Sequence, residues 1–134
     1  MAQAVATGVG TGFAILEGQQ FMSLTTFRKN GDGVSTPVWF AEKGGKLYVY
    51  TQGSTGKVKR LRHTSRVTVA PCDRSGKLFG TATAAGTARL LDNASEQQAA
   101  DAALNAKYGF LKRMMSFISK LRGSEAAYIE IVPA

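Results

Sequence analysis

Residues 24–52 read LTTFRKNGDGVSTPVWFAEKGGKLYVYTQ, and this stretch decides the fold. Leu24–Arg28 is rich in threonine and phenylalanine, which suits a strand. Lys29–Gly33 holds Asn30-Gly31 and Asp32-Gly33, pairs that supply the positive φ angles of tight hairpins. The chain therefore reverses, and Val34–Ala41 is the returning strand. Pro37 within it has no N–H for a ladder, which puts it at a strand edge or a bulge. Gly44-Gly45 makes a second turn. Lys46–Gln52 then alternates, with Leu47, Val49 and Thr51 on one face and Tyr48 and Tyr50 on the other. Three successive antiparallel strands make a meander.

Downstream, Gly53–Gly56 is a small polar loop in which Ser54 or Thr55 can cap a helix over Lys57–His63. Arg66–Cys72 alternates again, with Val67 and Val69 inward. After a turn at Asp73–Gly76, Lys77–Leu91 reads as one long strand bent at Gly80 and Gly86. Asn93 and Glu96 form a capping-box pair for a helix ending near Tyr108. A second helix follows, with Leu111, Met114, Met115, Ile118 and Leu121 on one stripe. Ala127–Val132 is the last strand. The pattern is α+β and mainly β: a six-stranded antiparallel barrel with a short helix after the third strand and two helices before the sixth. The 134 residues make one domain, with 1–12, rich in Gly and Ala, expected to be a flexible terminus.

Composition narrows the function. A single cysteine, Cys72, forms no internal disulfide, and with one histidine, His63, it cannot build a zinc site of the usual ligand set. No apolar run reaches the roughly 18 residues of a membrane span. The N-terminus has no basic residue ahead of its apolar ones, which argues against a secretory signal and leaves the cytoplasm as the default location. The net charge is +8, from 17 Lys and Arg against 9 Asp and Glu, which calls for an anionic partner.

The charge is concentrated. Ser54–Arg66 carries Lys57, Lys59, Arg60, Arg62 and Arg66 and no acid. A strand, a polar loop and a basic helix start form an anion site, and Lys57 and Arg60, three apart, are read as sharing a helix face. Lysine offers a point charge and arginine a two-pronged grip on phosphate oxygens. The plain alternative is a solvated basic face. Nucleic acid is a rival partner. No aromatic platform interleaves Lys57–Arg66, which disfavours it, although Tyr48, Tyr50 and Phe79 remain available elsewhere. A second cluster, Lys107, Lys112, Arg113, Lys120 and Arg122, is either the wet side of the last helices or the continuation of a basic groove. His63 reads as a surface turn residue and Cys72 as packing. Gly8–Gly12 lacks the preceding strand and the spacing of a dinucleotide fingerprint.

The blocks Thr25–Arg28, Asn30-Gly31, Ser35–Phe40, Leu47–Thr51, Lys57–Arg62 and Arg66–Asp73, in this order, resemble the pyridoxamine phosphate oxidase-like superfamily, with its FMN-binding split-barrel fold. Within it the chain is most similar to the small deazaflavin (coenzyme F-420)-dependent oxidoreductases. The resemblance implies a flavoprotein-like homodimer with cofactor sites at the subunit interface. It implies phosphate binding by Tyr50, Thr51, Ser54, Thr55, Lys57 and Arg60, and a strand carrying Thr36, Pro37, Val38 and Trp39 along the cofactor ring. Where the oxidases have Ser-Arg-Lys, this chain has Thr55-Gly56-Lys57, so one phosphate ligand is missing from the run or moved, with Arg60 the candidate. The expected function is hydride transfer between a reduced cofactor, F-420 ahead of FMN, and a small organic substrate. The alternative is a non-catalytic carrier of the same cofactor. F-420 is favoured because its phosphodiester and carboxylate tail would use both basic clusters. Exposed Trp39 and Phe40 are expected to need the cover of a second subunit.

Overall fold

A computed structural model describes residues 12–52, 55–108 and 126–134. The strands are β1 (Phe21–Phe27), β2 (Gly33–Lys43), β3 (Lys46–Gln52), β4 (Arg66–Cys72), β5 (Ala84–Leu90) and β6 (Ala126–Pro133), with helices α1 (Gly56–Leu61) and α2 (Ala94–Tyr108). They close into an antiparallel barrel in the order β1-β2-β3-β6-β5-β4. The helix expected around Leu111–Leu121 lies outside the described residues, as do Met1–Thr11. Among the described residues, no helix is long and apolar enough to cross a membrane.

Local chemistry sets the turns. Gly31 has φ 95°, and Asp32 N–H donates to the Asn30 side chain at 2.9 Å, closing the β1–β2 hairpin. Gly44 and Gly45, at φ 63° and 78°, join Lys43 to its partner Lys46 across a two-residue turn. Asn93 caps α2 by accepting the Glu96 N–H at 2.8 Å. Strand alternation then fills the barrel. Met22, Leu24, Val38, Phe40, Leu47, Val49, Val67, Val69, Ile129 and Ile131 point inward and are buried. Phe40 therefore belongs to the core and is not an exposed aromatic. The outer face carrying Tyr48, Tyr50 and Tyr128 is covered by Ala103 and Leu104 of α2.

The barrel opens along β2. Only Phe40–Lys43 pairs with β3, while Gly33–Trp39 pairs with β1 alone. Pro37 sits in that one-sided half, opposite Ser23, where its missing N–H costs no ladder bond. Tyr108 of α2 caps the other end of the β1–β2 ladder. Its hydroxyl accepts the Phe40 N–H at 2.8 Å and stands 2.7 Å from the Gln20 carbonyl, where the next rung would lie. Its ring stacks on Trp39 at 5.0 Å, so Trp39 is half-buried by its own chain.

The fifth strand is shorter than the sequence predicts. Asp73 Oδ1 accepts bonds from Ser75 N–H, Ser75 Oγ and Lys77 N–H, winding a tight turn. A single bridge joins Cys72 to Leu78, and the ladder resumes only at Ala84. Phe79–Thr83 are exposed throughout. With Gly80 and Ala82 among them, this run offers little side chain to bury on a strand face.

Candidate functional site

The short helix α1 closes one end of the barrel. Val58 and Leu61 are buried, and Leu61 joins the main core. This anchoring directs Lys57 and Arg60 to different strands. Lys57 Nζ donates to Thr51 Oγ1 of β3 at 3.4 Å, and Arg60 Nε donates to Thr26 Oγ1 of β1 at 2.6 Å. Three apart on α1, the two side chains start from neighbouring positions and reach to different strands, β3 and β1. Thr55 precedes α1 but makes no side-chain cap bond. With only six residues, α1 contributes little dipole, so the anion affinity of this end rests on side chains.

The charges are close and uncompensated. Burial, then the Arg60 charge, lower the Lys57 pKa, and burial, then Arg28, lower that of Arg60. Among the described residues the salt bridges are Lys46–Glu130, Arg89–Glu96 and Arg89–Glu130, all away from α1. Among the described residues, Lys57 and Arg60 thus have neutral hydroxyls as their hydrogen-bond partners. Two buried hydroxyl oxygens, Thr36 Oγ1 and Thr55 Oγ1, have no hydrogen-bond partner among the described residues. Thr36 lies on the inward face of β2, diagonal to Thr26. Like charges without a counter-ion and unpaired buried hydroxyls are both costly in a folded protein. A phosphate would relieve both, so the residues present fit a phosphate-bearing cofactor.

The sequence-predicted residues divide accordingly. Thr51, Thr55, Lys57 and Arg60 gather at the α1 end, and Thr36 points to the interior nearby. Ser54 lies outside the described residues. Tyr50 alternates away from Thr51 to the outer face, where it stacks on Tyr128 at 5.6 Å. Val38 is core, while Pro37 and Trp39 face outward, so Thr36–Trp39 cannot present all four side chains to one ligand. A ring lying on this strand would instead meet the backbone groups of its one-sided half. Two residues escaped the sequence reading. Thr26 is fully buried and holds Arg60. Gly56 leaves room for it, because a Cβ there would stand 2.8 Å from Arg60 Nη1. The signal for Thr26 was present: a hydroxyl at an inward-facing position near a strand end.

Of the second basic cluster, only Lys107 is described, and it lies away from this end. It donates to the Gln19 carbonyl at 2.6 Å and lies over the Phe40 ring at 3.5 Å. Gln19 and Thr26 bracket the length of β1, roughly 20 Å at about 3.3 Å per residue. Burial pushes the Lys107 pKa down to about 8. Lys112, Arg113, Lys120 and Arg122 lie outside the described residues. His63 is exposed, Cys72 is buried, and no cluster of His, Cys, Asp or Glu among the described residues could hold a metal ion.

These features define a split β-barrel with an electropositive end. The family model described as pyridoxamine 5'-phosphate oxidase matches residues 13–126, and the chain belongs to that family. Solved structures share the fold. The heme storage protein HutZ of Vibrio cholerae has 13% identity and a TM-score of 0.69, covering 91% of this chain and 87% of its own. A FAD-binding protein of Mesorhizobium loti has 16% identity and a TM-score of 0.63, covering 90% and 84%. A pyridoxamine 5'-phosphate oxidase-like protein of Listeria innocua has 23% identity and a TM-score of 0.58, covering 90% and 89%. No curated protein sequence matches the chain.

Proposed function

We propose that this protein binds a phosphate-bearing flavin-type cofactor, FMN or the deazaflavin F-420, and serves as an oxidoreductase for a small organic substrate. The observation that carries the reading is the pair of cations, Lys57 and Arg60, without a carboxylate partner among the described residues and tethered to Thr51 and Thr26 at the α1 end of the barrel. Lys57 and Arg60 would hold the phosphate, and Thr55 and Thr36 would offer it or the adjoining ribityl chain their hydroxyls. When bound, the cofactor supplies the hydride chemistry, and the protein supplies position and electrostatics. The half of β2 that pairs with β1 alone, Gly33–Trp39, offers the backbone groups of its open side to a planar ring. The separation of Lys107 from α1 removes part of the charge argument for F-420 within one subunit, so both cofactors stand as candidates. A cytoplasmic homodimer belongs to the same reading.

The test is direct loading. Purified protein is titrated with FMN and with F-420, and the visible spectrum and affinity are followed. The reduced complex is then mixed with electron acceptors. Tight binding of one cofactor with acceptor-dependent reoxidation over many cycles supports the oxidoreductase. Tight binding without turnover makes the protein a carrier. Failure to bind either, with oligonucleotide binding that collapses with salt, would replace the reading with nucleic-acid binding.

A further inference from the structure

We infer that Thr26 and Gly56 are positioning residues that set the Arg60 guanidinium for an anion, and so determine selectivity for the phosphorylated over the phosphate-free form of the cofactor. The inference rests on the phosphate reading above and deepens it. Arginine is a long side chain with several rotatable bonds, and an unanchored one loses much of its binding energy to ordering. Here the ordering is done before any ligand arrives. The Nε–H is held at 2.6 Å by the fully buried Thr26 hydroxyl, 34 residues away on β1. That bond uses Nε and leaves the Nη donors, which have no acceptor among the described residues, for an anion. The guanidinium also folds back over the first turn of its own helix, with Nη1 2.8 Å and Cζ 3.5 Å from where a Cβ on Gly56 would stand. Any larger residue at 56 displaces it.

The geometry accounts for the local sequence. A glycine in a helix interior is unfavourable by about 1 kcal/mol relative to alanine, and the first position of a helix gives it no particular advantage over alanine. Gly56 is not in a left-handed conformation, so turn geometry does not require it. Room for Arg60 does. An arginine supplied from one turn further along α1 reaches the space directly above Gly56.

The experiment compares two ligand pairs, FMN with riboflavin and F-420 with its phosphate-free deazaflavin fragment. The readout is the affinity ratio within whichever pair binds. Thr26→Val is nearly isosteric and removes the acceptor, and Gly56→Ala removes the clearance. Each should lower that ratio about three- to tenfold, the loss of one positioning hydrogen bond, with the phosphate-free ligand and the melting temperature little changed. Thr26→Ser should restore the ratio. Should Thr26→Val impair folding, Gly56→Ala tests the same claim independently. If Arg60→Met collapses the ratio while both Thr26→Val and Gly56→Ala leave it at the wild-type value, the positioning inference is wrong and the phosphate reading stands. If Arg60→Met also leaves the ratio unchanged, the phosphate reading fails and takes the inference with it.

Discussion

Replacing Lys57 and Arg60 together by methionine tests the site most severely, because methionine keeps the apolar stems and removes only the charges. A charge-assisted hydrogen bond contributes about 1.5–3 kcal/mol, so two independent ones would give about 3–6. The two are not independent here. The Arg60 charge already depresses the Lys57 pKa, so removing either relieves repulsion on the other. Each single variant is thus partly compensated, and the double variant should lose more than the sum of the singles, about 3–6 kcal/mol, or roughly 10²–10⁴-fold in affinity. The fully buried Thr26 hydroxyl loses its donor, at about 1–3 kcal/mol, offset in part by relief of the repulsion between the two cations, so the variant should remain folded with a modestly lower melting temperature. The assay is a titration of FMN or F-420 at about 0.15 M salt, where the Debye length is about 8 Å, repeated at about 0.5 M. Contact with the phosphate should leave most of the difference at high salt, whereas diffuse attraction would lose it. Unchanged affinity in a folded double variant would refute the placement of the phosphate at α1.

Other outcomes follow from the packing. Gly86→Ala places a Cβ 2.7 Å from Ile131 Cγ2 and 3.0 Å from the Val132 carbonyl, inside the β5–β6 wall. Thermal melting should show about 1–3 kcal/mol of destabilisation from overpacking, and a wild-type melting temperature would contradict the tight fit. Lys107 and Tyr108 should shape the alkaline stability profile. The Lys107 pKa lies at about 8 when folded, so stability rises as the unfolded chain alone keeps the proton above that pH, up to its ordinary value near 10.5. The Tyr108 phenol, pushed up to about 12 by burial, acts oppositely between about 10 and 12. Lys107→Met should abolish the rise in melting temperature above pH 8, and its persistence would assign the rise elsewhere. Among the described residues, Leu78 and Phe79 are the exposed large hydrophobics, at 47% and 62%, beside the end of β4. Light scattering should give a dimer at micromolar concentration, weakened by Phe79→Glu, and a wild-type monomer would contradict the proposed homodimer.

The features legible in the sequence were the local ones. Asn30-Gly31 and Gly44-Gly45 specify their turns through φ angles that few other residues adopt, and Asn93 with Glu96 starts α2 through bonds spanning three residues. Period-two alternation in Lys46–Gln52 and Arg66–Cys72 assigned their inward faces from the chain alone. The same alternation, applied to Thr36–Trp39, would have shown that Val38 and Trp39 face opposite ways, and that Phe40 joins the core. Lys77–Thr83 was expected to be part of a strand, but beyond the single Leu78 bridge it is exposed and unpaired until Ala84. The basic run at Lys57–Arg66 was visible, and its use was not. Whether Arg60 lies free in solvent or locked to a barrel wall depends on Thr26, 34 residues earlier, and on barrel closure between β1 and β4. The point where the β1–β2 ladder stops depends on Tyr108, 68 residues beyond Phe40. Turns and caps are decided by the torsions of adjacent residues, so the sequence carries them openly. Partners across a barrel are decided by packing that exists only once all six strands have met, and the tertiary structure alone determined those.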